Sequence, residues 1–273
     1  MNPDLQRRVQ RYGWDKASEH YEKSWQVQLK PAHDLLFEKI EIMPGYFILD
    51  IAAGTGLITF RMAELLGSTG KIFATDISDE MVKIGTGLTQ SKALSNVEFE
   101  RMDAENLSFE ESTFDLVTCA LGLMYLPDPD RALQEMYRTL KPGGKAAVVV
   151  WGSRKHCGWA EIFPIVDARV SSDVCPMFFQ LGERENLNYP FEKAGFKNIS
   201  LQKISTILHY KTEDEACQAS FLGGPVAMAY SRFDNQTKIE AQKEYIESIQ
   251  KFRIGKGYEI PGEFVVAVGK KPN

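Results

Sequence analysis

The sequence has no uncharged run of the ~18 residues that a membrane-spanning helix needs, and its cysteines form no closely spaced pair of the kind that binds zinc. Cys119, Cys157, Cys175 and Cys217 are scattered along the chain, which predicts reduced thiols and no metal site. The first 30 residues also lack the apolar segment of a secretory leader. These absences predict a cytoplasmic protein with no membrane partner.

Positive charge is not in excess either. The formal net charge is −5 and the sequence pI is near 5.6, so the chain has no general attraction for nucleic acid phosphates, and neither DNA nor RNA is an expected partner. A length of 273 residues with 44% apolar content is enough for one large core, or for a core with an inserted cap.

The segment 48–59 carries the strongest signal in the sequence. It predicts a buried strand, a turn of small residues and the start of a helix, in which Gly54 and Gly56 let the backbone approach a nucleotide-like ligand. Such a turn also occurs where a strand only packs tightly against the next helix. Thr59 occupies the place of the third glycine of the dinucleotide fingerprint, which argues against NAD binding.

Acidic residues follow two further predicted strands. Asp76 ends the apolar segment 71–75, roughly 20 residues after Gly56, where a carboxylate can accept both hydroxyls of a ribose. Asp103 follows the segment 97–102. Each aspartate alone could be a helix cap, but carboxylates at successive strand ends would meet at the carboxyl edge of a parallel sheet, where open α/β sheets bind ligands.

The rest of the first half continues the alternation of strands and helices. A fourth strand is predicted at 114–120, an amphipathic helix at 130–140, and a continuous apolar strand at 146–151 after the helix stop at 141–144. This alternation indicates an α/β fold with a mainly parallel sheet.

Four segments now carry a family resemblance: 49–56 (LDIAAGTG), 74–78 (ATDIS), 102–105 (MDAE) and 140–144 (LKPGG). In this order and spacing they resemble the class I S-adenosylmethionine-dependent methyltransferases, and are most similar to the group of ubiquinone and menaquinone biosynthesis C-methyltransferases. The resemblance covers 12–151 strongly and 189–272 only in outline. One departure is Ala52, where the commonest pattern of the family has a glycine.

The resemblance implies a Rossmann-like sheet of seven mostly parallel strands with helices on both faces and an inserted helical cap. We expect an N-terminal helical lid at 1–40, a cofactor-binding core at 41–151 and the cap at 152–188. The part 189–273 would complete the sheet, with a second helical insertion at about 211–255.

The implied cofactor is S-adenosylmethionine, with S-adenosylhomocysteine as the product. The turn from Ala52 to Gly56 would bind the methionine end with Asp50 nearby, and Asp76 would bind the ribose. Tyr21 would cover the methyl group, because a sulfonium cation is attracted to an aromatic face. The predicted cofactor residues are Tyr21, Asp50, Ala52, Gly54, Gly56, Asp76, Ile77, Met81, Asp103, Ala104 and Ala120.

Acceptor binding has weaker signals. Tyr125 follows the fourth strand and Trp151 ends the fifth, so both are predicted to line the acceptor pocket, and the apolar cap indicates a bulky or apolar small molecule. Completion of the core is an alternative role for the cap. Trp14 and Trp25 offer aromatic faces that would also attract a sulfonium cation, and the alternative for them is packing of the first helices onto the sheet. No catalytic residue is assigned; the candidates are Tyr21, Tyr125, His20 and His156.

Three functions remain open. The first is a methyltransferase that acts on a carbon, nitrogen or oxygen atom of a small molecule by in-line displacement; thiol-assisted methylation of an element such as arsenic, near Cys157 and Cys175, is a variant of it. The second is a regulatory protein that binds S-adenosylmethionine without turnover and has no acceptor pocket. The third is a nucleotide-cofactor oxidoreductase, which Thr59 argues against.

Overall fold

A mixed sheet organises the chain in the computed structural model, which describes residues 3–171, 175 and 177–273. Its strands are β1 (Phe47–Ile51), β2 (Lys71–Asp76), β3 (Val97–Arg101), β4 (Phe114–Ala120), β5 (Leu140–Trp151), β6 (Lys197–Tyr210), β7 (Arg253–Ile254) and β8 (Gly257–Lys270). They lie in the order β3, β2, β1, β4, β5, β8, β6, and the short β7 pairs with β8. The strands β1 to β5 are parallel, and β8 is antiparallel to β5 and β6. The predicted α/β fold with a mostly parallel sheet is confirmed, and β7 is an addition to it.

Helices connect and cover these strands. They are α1 (Pro3–Lys39), α2 (Thr59–Leu66), α3 (Asp79–Ser91), α4 (Pro129–Thr139), α5 (Ile162–Asp167), α6 (Asn188–Ala194), α7 (Glu213–Cys217), α8 (Ala227–Ser231) and α9 (Asn235–Ile249). Local chemistry sets their starts: the Ser78 hydroxyl accepts the backbone N–H of Met81 at the start of α3, and Asp128 accepts that of Arg131 at the start of α4. Because these caps follow β2 and β4, they help to form the carboxyl edge of the sheet.

The core is centred on β1, β4 and β5. From Ala146 to Trp151, β5 is buried on both faces, as its continuous apolar run predicts. The helix stop at 141–144 lies at the start of β5. There Leu140 pairs with Phe114 and Lys145 with Leu116, so the intervening residues bulge out of the ladder.

The N-terminal segment forms one long helix. The resemblance implies an N-terminal helical lid at 1–40, and in the structure α1 occupies this segment, runs for 37 residues and contains Pro31. Its apolar positions, among them Ala17, Leu29 and Leu36, are buried against the body of the protein. The helix contacts α3 in the first half of the chain and α8 and β6 in the second half, so it links the two halves.

The predicted cap segment contains residues 172–174 and 176, which lie outside the described residues. Its described part contributes α5 and a cluster of aromatic side chains, Phe163, Phe178 and Phe179, whose ring centroids lie 4.7 to 5.9 Å apart. None of the helices in the described ranges combines the length and the apolar character needed to cross a bilayer.

Gly85 and Gly87 of α3 give a matched test of the packing between α3 and β3. A Cβ at Gly85 would lie 2.3 Å from the ring of Phe99, whereas a Cβ at Gly87 would meet no atom within 4 Å. We expect Gly87→Ala to raise the free energy of unfolding by about 1 kcal/mol through its higher helix propensity. Gly85→Ala should lower it by about 1 to 3 kcal/mol because the Phe99 ring must move. Urea denaturation of both variants measures the difference, and equal effects would contradict this packing.

Candidate active site

The turn after β1 forms the base of the site. Ala52 has a φ of 53°, which is unusual for a residue with a Cβ, and Gly54 has a φ of 58°. The backbone N–H of Ala53 donates to the Thr75 carbonyl at 3.0 Å, which ties the turn to β2. Gly122 after β4 makes room for the Ala52 methyl group, because a Cβ at Gly122 would lie 2.3 Å from it. Alanine can therefore replace the usual glycine at position 52 because the neighbouring loop has a glycine at position 122.

A cavity of about 620 Å³ lies above this turn, at the carboxyl ends of β1, β2 and β4. Eight of the predicted cofactor residues line it: Tyr21, Ala52, Gly54, Asp76, Ile77, Met81, Asp103 and Ala120. These residues come from five segments of the chain, so the tertiary structure brings together motifs that are far apart in sequence.

Asp76 is held firmly at the cavity wall. One carboxylate oxygen accepts the backbone N–H of Gly54 at 2.8 Å, and the other accepts that of Ser78 at 2.9 Å. Burial nevertheless raises the pKa of Asp76 to about 6, and these two hydrogen bonds oppose that shift. The carboxylate thus fixes the turn and still faces the cavity.

Three predicted cofactor residues do not line this cavity. Asp50 is fully buried, and its two oxygens accept the hydroxyls of Thr59 at 2.5 Å and Thr118 at 2.8 Å. Gly56 borders a different depression between α1, α2 and α3, and Ala104 is buried behind Asp103. Asp50 thus lies below the turn, and Thr59, the residue that replaces the third glycine, is one of its two partners.

Helix α1 closes one side of the cavity through polar contacts. Arg7 pairs with Asp103, at 3.0 Å from its Nε, and with Glu105. One turn later Arg11 pairs with Asp79, and Asp15 accepts the Ser78 hydroxyl at 2.6 Å. The first turns of α1 are therefore joined to the ends of β2 and β3, on the same side as Asp76.

Several wall residues were not predicted. Arg7 and Gln10 line the cavity from α1, beside Trp14 and the predicted Tyr21, and Leu121, Gly122, Leu126 and Pro127 line it from the loop after β4. Spacings of three, four and seven residues place the α1 residues on one face of the helix, so helical periodicity was the signal that could have found them. The loop residues carry no comparable pattern.

A second cavity of about 340 Å³ adjoins the first and shares Trp14, Tyr21, Leu121 and Tyr125 with it. Most of its wall is aromatic, since Trp25, Trp151 and Trp159 also line it. The rings meet edge to face: Trp14 lies 5.1 Å from Tyr125, and Trp151 lies 4.8 Å from Trp159. Both predicted acceptor residues, Tyr125 and Trp151, border this space.

The candidate histidines lie away from both cavities. His20 is half-buried on α1, and His156 is half-exposed, with its Nδ1 2.7 Å from a carboxylate oxygen of Glu263. Burial raises the pKa of the Tyr21 and Tyr125 phenols above the ordinary value, so both remain protonated at neutral pH. No described wall residue of the second cavity is therefore a base at neutral pH.

Comparison of the sequence with known proteins identifies the family of this chain. Residues 18–165 match the model of the ubiE/COQ5 methyltransferase family. The chain belongs to this family. It is 39% identical over 116 residues to the ubiquinone/menaquinone biosynthesis C-methyltransferase UbiE of Pseudoalteromonas translucida, over 42% of this chain and 46% of that protein. With UbiE of Escherichia coli O1:K1 / APEC the identity is 42% over 177 residues, over 59% of this chain and 70% of that protein. The matched region spans about half the length of the first of these family members.

Solved structures share the fold at low sequence identity. Phosphoethanolamine N-methyltransferase 2 of Haemonchus contortus, crystallised with S-adenosyl-L-methionine, has a TM-score of 0.63 at 17% identity over 95% of this chain and 57% of that one. The cyclase SpnF has a TM-score of 0.59 at 21% identity over 91% and 83%. At these identities the likeness concerns the fold, which hosts different reactions.

Asp50 gives a pH-dependent test of the structure below the turn. Burial raises its pKa to about 7, and the two threonine hydroxyls oppose the shift. An unfolded aspartate ionises near pH 3.9, so between roughly pH 4 and 7 the folded state holds a proton that the unfolded state has lost. The contribution of Asp50 to stability therefore decreases as the pH rises through this interval. The free energy of unfolding of Asp50→Asn minus that of the wild type should therefore increase by about 2 to 3 kcal/mol from pH 5 to pH 8.

Urea denaturation of both proteins at the two pH values measures this gain. Thr118→Val is the control, because it removes one hydrogen bond to Asp50 but leaves the carboxyl group; it should show no such gain toward pH 8. A stability difference between Asp50→Asn and the wild type that does not change with pH would contradict the buried titration.

Proposed function

We propose that this chain is an S-adenosylmethionine-dependent methyltransferase that acts on a small molecule. The observation that supports this most directly is the junction of two cavities: one has carboxylates and the turn after β1 on its wall, and the other is lined by aromatic rings. A transferase needs adjacent sites for the cofactor and the acceptor, whereas a regulatory protein that only binds the cofactor needs no second site. The adjoining cavity therefore favours catalysis over regulation.

The side chains on the wall of the first cavity suit the chemistry of the cofactor. Asp76 would accept the ribose hydroxyls, and Asp103 would accept the adenine amino group. Ile77 and Met81 would cover the adenine ring, while the turn at Ala52 and Gly54 would bind the methionine end. When bound, S-adenosylmethionine supplies a methyl group that its sulfonium charge activates for displacement.

The residues at the junction would orient the reaction. Tyr21 and Trp14 present aromatic faces at the boundary of the two cavities, and such faces attract a sulfonium cation. Tyr125 would position the acceptor on the other side. Because in-line displacement depends mainly on the position of the two reactants, these walls and the exclusion of water can account for most of the rate enhancement.

The acceptor atom is carbon, nitrogen or oxygen, and the family members named C-methyltransferases favour carbon. Because the described wall of the second cavity has no base at neutral pH, the acceptor would attack without a protein side chain that removes its proton. This suits an acceptor whose own electrons make the attacking atom nucleophilic.

Calorimetric titration with S-adenosylhomocysteine tests the cofactor site. Asp76→Asn should weaken binding by about 10-fold to 100-fold, because hydrogen bonds to a charged group are lost. Asp115→Asn is the matched control: Asp115 pairs with Lys141 near the start of β4, on the opposite edge of the sheet, so its affinity should equal that of the wild type. Absence of binding to the wild type would refute the proposed function, and unchanged binding to Asp76→Asn would remove Asp76 from the site.

A further inference from the structure

Three tryptophans form the wall of the second cavity that is farthest from the carboxylates. The ring centroids of Trp25, Trp151 and Trp159 lie 4.8 to 6.1 Å from one another, all at steep interplanar angles. Trp159 borders the second cavity but not the first. Its ring also contacts Phe178 edge to face at 5.6 Å, so neighbouring rings fix its orientation.

The indole N–H groups of two of these tryptophans differ in one respect. The Nε1–H of Trp25 donates to the carbonyl of Gly223 at 2.9 Å. The Nε1–H of Trp159 is buried and has no acceptor among the described residues. A buried donor without a partner is unfavourable, and such donors are rare in folded proteins unless a ligand or water completes them. The other side chains of this wall present mainly carbon atoms, so the Trp159 N–H is an unusual polar group among them.

We infer that the Trp159 indole N–H donates a hydrogen bond to an oxygen atom of the methyl acceptor. The acceptor would then be a neutral molecule with a ring and a carbonyl, hydroxyl or phenolic oxygen. A cationic amine would also be attracted to the rings, but it has no lone pair for the N–H and would leave the donor unpaired. This inference rests on the proposed function, because it assigns the second cavity to the acceptor.

A pair of probes that differ in one oxygen isolates this hydrogen bond. The ketone 1-tetralone and the hydrocarbon tetralin share one ring skeleton, and both can be titrated into the protein saturated with S-adenosylhomocysteine. Wild-type protein should bind the ketone about 5-fold to 10-fold more tightly than the hydrocarbon, and Trp159→Phe should lose this preference. Trp25→Phe is the control, since its N–H already has an acceptor; it should keep the preference for the ketone.

Nuclear magnetic resonance of the four ¹⁵N-labelled tryptophan indoles gives a readout that a purely structural role would not change. The indole proton of Trp159 should move downfield with 1-tetralone and not with tetralin. If Trp159→Phe does not fold, phenylalanine substitutions at the other three positions assign the signal by elimination.

Equal affinity of the wild type for the two probes, or binding of neither, would overturn the inference, as would tighter binding of the trimethylphenylammonium cation than of the ketone. A ketone preference that survives in Trp159→Phe would do the same. Because binding of S-adenosylhomocysteine is measured separately, failure of this inference is distinguishable from failure of the proposed function.

Discussion

Two buried carboxylates hold the turn on which the site depends. Asp50 binds the hydroxyls of Thr59 and Thr118 below the turn, and Asp76 binds the backbone N–H of Gly54 beside it. Burial raises both pKa values, and a neighbouring carboxylate adds to each shift, Asp76 for Asp50 and Asp15 for Asp76, so these groups lower the stability of the folded protein near neutral pH. In return, the backbone from Ala52 to Gly54 is fixed with left-handed residues at the carboxyl edge of the sheet, where the first cavity forms.

Helix α1 forms the side of both cavities that the sheet edge leaves open. One of its faces carries Arg7 and Gln10 to the first cavity, Trp14 and Tyr21 to both cavities, and Trp25 to the second. Its ion pairs with Asp79, Asp103 and Glu105 connect the helix to the sheet side of the first cavity. One helix therefore contributes wall residues to both cavities, which suits a reaction that depends on alignment.

The sequence predicted most of the fold because its signals are local. Apolar runs, helix caps and small-residue turns act over a few residues, so the strands β1 to β5 and the carboxylates at their ends were found. The hydrogen-bond partners of Asp50 were not predicted, because the two threonines lie 9 and 68 positions away along the chain. Gly56 and Ala104 belong to the right motifs but lie off the cavity, since adjacent residues of a turn or strand end face different sides.

The sequence by itself determined the alternation of strands and helices and the chemistry of the sheet edge, because periodicity and turn residues act locally. Only the tertiary structure decided which side chains share a wall. Trp25 of α1 contacts Trp151 and Trp159 across more than a hundred residues of sequence, and Gly122 makes room for Ala52 from another strand end. Such contacts depend on the packing of whole elements in three dimensions, and no short pattern in the chain encodes them.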